Sequence, residues 1–141
     1  MKRIFLVVIV AFTILSGCHP GSVNDKDSVT SDNVYNIELI NNEKWLVVEE
    51  MMMHIKNMNK EVNDFNPQDS YSDLASSLKD HIALLTSNCT MTGQGHDELH
   101  KWLLPYIDLV DDLSNAPSEA DKEYCYLEIK KSFEEFNKYF E

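Results

Sequence analysis

The sequence predicts an all-α protein, an antiparallel up-down-up-down four-helix bundle, and three observations lead to this fold class. Apolar residues recur at helical spacing in four separate segments between residue 42 and the end of the chain. The connections between these segments are short and contain Pro or Gly, which places consecutive helices side by side and antiparallel. Little of the chain has the alternating pattern of a strand or hairpin.

The first two predicted helices form a hairpin. The first covers residues 42–65 and ends before Pro67, which cannot continue a helix. Ser70 and Asp73 have the spacing of a helix-capping pair, so the second helix begins at Ser70 and ends near Asn88. The inward stripe of the first helix consists of Val48, Met51, Met52, Ile55, Met58, Val62 and Phe65, and that of the second of Tyr71, Leu74, Leu78, Ile82 and Leu85.

The third and fourth predicted helices form a second hairpin. Gly93 and Gly95 mark the turn before the third helix, which covers residues 96–113. Ser118 can cap the fourth helix together with Asp121. The inward stripes consist of Leu99, Leu103, Ile107 and Val110 in the third helix, and of Tyr126, Ile129, Phe133, Phe136 and Phe140 in the fourth.

The N-terminus has the pattern of an export signal. Lys2 and Arg3 precede an apolar run over residues 4–15. A helix needs ~20 apolar residues to cross a bilayer, and this run is too short for that. A short apolar run behind positive charges is typical of a signal peptide, which we assign to residues 1–17.

The end of this signal, Leu15-Ser16-Gly17-Cys18, resembles the lipobox of bacterial lipoproteins. The resemblance implies that the Cys18 thiol carries diacylglycerol and palmitate, because a thiolate is the strongest nucleophile among ordinary side chains. We therefore expect a protein of the cell envelope, lipid-anchored to a membrane on its non-cytoplasmic side. Residues 18–40 are interpreted as the lipidated Cys and a flexible linker, and residues 41–141 as the bundle domain. The segment 34–40 has the pattern of either a strand-like lead-in or a first helical turn.

The charge of the chain limits its partners. Removal of residues 1–17 takes away Lys2 and Arg3 and no acidic residue, which leaves 10 basic against 24 acidic residues and changes the net charge from −12 to −14. Such a chain repels nucleic acid and anionic lipid headgroups, so neither is an expected partner. The membrane is reached through the lipid anchor, and an acidic surface suits a cation or a basic protein.

The segment from Cys89 to His100 carries the most unusual local chemistry. His96 and His100 stand at i and i+4, the spacing at which one helix offers two imidazoles to a metal ion. Cys89 and Met91 add soft sulfur donors, and this combination suits Cu or Zn. Asp97 stands where a zinc protease has Glu, which shortens the reach of a general base and argues against protease chemistry.

The same segment resembles one found in small helical exported proteins of Bacteroidota. The resemblance covers about a dozen residues and implies no known activity. The matching residues are Cys89, Thr90, Met91, Gly93, His96, Asp97, Leu99 and His100.

Two further histidines join the candidate metal ligands. Folding the predicted bundle at ~1.5 Å per residue places His54, His81 and His100 near one level, with Met51 and Met58 on the face of His54. The alternative interpretation is structural: methionines fill irregular core space, and a lone histidine beside an apolar stripe is usually packed or half-exposed. Cys89 and Cys125 stand ~20 Å apart along the bundle axis, too far for a disulfide.

Two functions remain open from the sequence. One is a lipoprotein that binds Cu or Zn and loses metal when His96 and His100 become Ala. The other is a non-catalytic acidic interaction module, an inhibitor or assembly factor that binds a basic protein without metal. The sequence contains no nucleophile motif, phosphate loop or haem attachment motif, so we do not expect an enzyme.

Overall fold

The computed structural model describes residues 34–141 of the chain; the predicted signal peptide, Cys18 and the linker up to residue 33 lie outside this range. It contains four helices, α1 (Glu49–Asp64), α2 (Tyr71–Ser87), α3 (Gln94–Asn115) and α4 (Glu119–Tyr139). Contacts join α1 to α2, α2 to α3, α3 to α4 and α4 to α1, so each helix packs between two neighbours. The predicted all-α four-helix bundle is confirmed.

Serine side chains begin two of the helices as the sequence predicts. The Oγ atom of Ser70 accepts a hydrogen bond from the backbone N–H of Asp73 at 3.2 Å. The Ser118 Oγ accepts one from the N–H of Asp121 at the same distance. Each cap satisfies one of the four N–H groups that a helix leaves without an internal partner, which stabilises the start of α2 and α4.

Aromatic side chains of α3 and α4 form the centre of the core. The ring of Trp102 stacks on Tyr106 at 4.9 Å and lies 4.7 Å from Phe136. The indole N–H of Trp102 donates to the carbonyl of Ser132 at 2.9 Å, so its polar atom is satisfied although the side chain is fully buried. Burial raises the pKa of the Tyr106 hydroxyl, which is therefore neutral and remains a hydrogen-bond donor.

The first helix starts later than the sequence predicts, at residue 49 rather than 42. Asn41 and Asn42 adopt positive φ angles of 53° and 65°, which end any right-handed helix. Beyond them the chain is extended: Trp45 N–H donates to the carbonyl of Tyr139, and Val47 N–H to that of Glu141, both at 2.8 Å. The hydrogen-bond partners of this segment come from the far end of the chain, which a local pattern does not reveal.

Residues 34–47 form an N-terminal strap on the bundle, whereas the sequence pattern places residues 34–40 in the flexible linker. Ile37 is 1% exposed and belongs to the core. The strap is also held by the Glu98 carboxylate, which is 5% exposed and accepts hydrogen bonds from the backbone N–H of Glu38 at 2.9 Å and from Lys101 at 2.8 Å. The packed domain therefore extends into residues 34–40.

The described part of the chain contains no membrane-spanning candidate. None of α1 to α4 combines the length and the apolar content that a bilayer crossing requires.

Candidate metal site

Two histidines from different helices meet in the seam between α1 and α2. The Nδ1 atoms of His54 and His81 lie 3.0 Å apart, and the ring centroids 5.3 Å apart. His54 is 7% exposed, and the side chain of His81 is 20% exposed. The sequence-based expectation that these two residues share a level of the bundle is therefore met in the structure.

A carboxylate holds the outer nitrogen of this pair. The Nε2 atom of His81 lies 3.2 Å from Oε1 of Glu61, and the Ser77 hydroxyl donates to Oε2 of Glu61 at 2.8 Å. Because an ionised carboxylate only accepts, Nε2 of His81 carries the hydrogen, and in the neutral ring Nδ1 presents a lone pair. His54 then donates its Nδ1–H to that lone pair. The four side chains form one connected polar network.

Helical spacing explains why these residues meet. His54 and Glu61 are two turns apart on α1, and Ser77 and His81 are one turn apart on α2. Because the two helices run in opposite directions, His81 lies across from His54 while Ser77 lies across from Glu61. Sequence reasoning missed Glu61 and Ser77. The sequence signal that could have identified them is helical spacing: Glu61 lies seven residues after His54, and Ser77 lies four residues before His81.

A negatively charged groove adjoins the network at the α1–α2 hairpin. Its volume is about 360 Å³. The single lysine on its wall, Lys60, is paired with Asp64, so the remaining carboxylates dominate the local charge. Its lining consists of Lys60, Glu61, Asp64, Phe65, Asp69, Ser70, Asp73, Leu74 and Ser77.

The other predicted ligands lie around the turn between α2 and α3. The rings of His96 and His100 are 4.1 Å apart, as their spacing predicts, and both are half-buried. Cys89 and Met91 are half-buried and pack against the core. The methyl of Met91 lies 3.8 Å from where a Cβ on Gly95 would stand.

The structure does not unite the two sets of candidates. His100 lines a groove with Leu104 of α3 and Glu128 of α4, whereas His54 and His81 lie between α1 and α2. Over residues 34–141, no three His, Cys, Asp or Glu side chains are placed to hold one metal ion. The predicted layer of three histidines is therefore reduced to the pair His54 and His81.

Three of the four methionines of α1 serve the core, whereas Met53 is exposed. Met51 and Met58 are fully buried, and the hydroxyl of Tyr106 donates to the Met58 sulfur at 3.6 Å. This supports the interpretation of these side chains as core filler.

Cys89 and Cys125 are both free thiols, in agreement with their predicted separation.

Comparisons with family models, with curated proteins and with solved structures each find no match to this chain.

Proposed function

We propose that this chain is a lipid-anchored protein of the cell envelope that binds a transition metal ion, Cu or Zn, at the His54–His81 pair. The observation that carries the proposal is the 3.0 Å separation of the two Nδ1 atoms. Two imidazole nitrogens this close can bind one ion when the hydrogen on Nδ1 of His54 moves to Nε2 of the same ring and the two rings open slightly. Imidazole is a common ligand of both metals.

The surroundings of the pair support this role. Histidines that bind metals usually donate their other ring N–H to a carboxylate, which fixes the ring and strengthens the ligand. Glu61 stands in this position behind His81, and Ser77 holds Glu61. The neighbouring acidic groove adds a negative potential that attracts cations.

The anchor completes the proposed role. The mature chain is too acidic to adhere to anionic headgroups, so acylation of Cys18 is what holds it at a membrane. Radioactive palmitate should label the wild type and leave Cys18→Ser unlabelled. Equal labelling of the two proteins would refute acylation at Cys18.

Metal uptake by the full-length protein, purified in detergent, tests the proposed function. We expect roughly one Zn or Cu ion per chain after equilibration and gel filtration. Replacement of both His54 and His81 by Ala should abolish this uptake. The matched control is His96→Ala with His100→Ala, which removes two imidazoles from one helix and should leave uptake unchanged. Uptake that survives in the first variant and disappears in the control would overturn the assignment.

A second candidate function rests on the charge of the chain. With 24 acidic residues against 12 basic ones, the surface suits a basic protein partner, and the chain would then act as a non-catalytic inhibitor or assembly factor. Binding of such a partner should weaken steeply with salt and should be identical in the wild type and in the His54→Ala, His81→Ala variant. Metal-dependent binding would contradict this second candidate.

A further inference from the structure

Building on the proposed metal role, we propose that the His54–His81 pair takes a borderline divalent ion, with Zn(II) as the reference, rather than Cu(I), and that Glu61 is the positioning residue that sets this preference. Three features carry the inference: the distance between the two nitrogens, the hydrogen bond that occupies the Met58 sulfur, and the carboxylate behind His81.

The distance between the nitrogens fits a bent arrangement. Bonds of about 2.0–2.1 Å from one ion to two atoms 3.0 Å apart meet at roughly 95°. A tetrahedral ion needs the nitrogens about 3.3 Å apart, which is a small opening of the pair. Two-coordinate Cu(I) favours a linear arrangement and needs about 4 Å, twice the bond length, which would force the buried His54 ring away from His81.

The donors at the pair are nitrogen rather than sulfur. Soft thioether and thiolate ligands are what select Cu(I). Met58 lies one turn after His54, and its sulfur accepts a hydrogen bond from the Tyr106 hydroxyl of α3, so this thioether already has a partner. Cys89 follows the end of α2, and Cys125 belongs to α4. The defined donors at the pair are therefore two imidazole nitrogens.

Glu61 adds a negative charge directly behind one of the two ligands. Its hydrogen bond to Nε2 orients the His81 ring so that Nδ1 presents its lone pair to the ion. The carboxylate attracts an ion of charge +2 twice as strongly as one of charge +1 at the same distance. A neutral amide at this position would keep the shape and remove this advantage.

Competition for Zn(II) against a chromophoric chelator tests the role of Glu61 in the full-length protein. Glu61→Gln should weaken Zn(II) binding about 10–100-fold. The matched control is Asp64→Asn, which removes one charge from the same groove without touching His81 and should change Zn(II) affinity by less than about threefold. Ser77→Ala, which frees the second oxygen of Glu61, should weaken binding in the same direction and provides the test if Glu61→Gln does not fold.

Competition for Cu(I) against bicinchoninate under argon tests the choice of metal. Any Cu(I) that the protein takes up should be unaffected by His54→Ala with His81→Ala, whereas Zn(II) binding should be lost. Cu(I) held by the pair in place of Zn(II), or equal effects of Glu61→Gln and Asp64→Asn, would overturn this inference while the proposed metal role survives. A pair that binds neither ion would refute the proposed function itself.

Discussion

The seam between α1 and α2 and the turn between α2 and α3 each bring two imidazoles together, in different ways. In the seam, His54 and His81 are 27 residues apart in the chain, and the Glu61 carboxylate orients the ring of His81. At the turn, His96 and His100 come from one helix and are half-buried. Spacing of i and i+4 guarantees that two rings are close. A defined ligand geometry also needs a second group that fixes how a ring points.

The largest expected difference between the two regions is in stability. His54→Ala removes a buried ring and leaves Nδ1 of His81 without its donor, so we expect a loss of about 2–3 kcal/mol in the free energy of unfolding. His100→Ala should change this free energy by less than about 0.5 kcal/mol. Urea unfolding followed by far-UV circular dichroism measures both values. Equal losses in the two variants would show that His54 contributes no more to the packing of the bundle than His100.

The turn itself offers the next test. Gly93 combines φ of 72° with ψ of −161°, a conformation that essentially only glycine adopts, although nothing lies within 4 Å of the Cβ that an alanine would add. Gly93→Ala should therefore cost about 1–3 kcal/mol through backbone strain alone. Gln94→Ala at the next position is the matched control and should be close to neutral. Wild-type stability of Gly93→Ala would show that the turn before His96 relaxes into another shape.

The smallest expected effect concerns the two free thiols, one beside the turn and one on α4. Burial, followed by the charges of Asp112 and Asp121, raises the pKa of Cys125. Because the thiolate is the reactive form, Cys125 should be alkylated at least about tenfold more slowly than the half-buried Cys89 at pH 8. Its rate should still be rising above pH 9. Mass spectrometry of iodoacetamide-treated Cys89→Ser and Cys125→Ser proteins separates the two rates, and faster labelling of Cys125 would contradict its buried position.

The bundle was predictable because the sequence signals of a helix lie within the helix itself or in the few residues that flank it. The stripes of apolar residues and the caps at Ser70 and Ser118 act within a few residues of chain. The structure contains both caps and buries the complete predicted stripes of α2 and α4. In α3 it buries Trp102 and Tyr106 more deeply than the predicted Ile107.

The start of α1 was not predictable in this way. Residues 42–48 have apolar positions that suit a helix, but Trp45 and Val47 pair with the backbone at the C-terminus. A competing partner so distant in sequence leaves no local signal.

The sequence by itself determined the four helices, their order and the candidate ligands, because periodicity, caps and turns are short-range properties of the chain. Only the tertiary structure decided which candidates meet. It joined His54 to His81, added Glu61 and Ser77, and turned His100 towards α4. The physical reason is that side-chain direction depends on the rotation of each helix about its own axis, which packing against its neighbours sets.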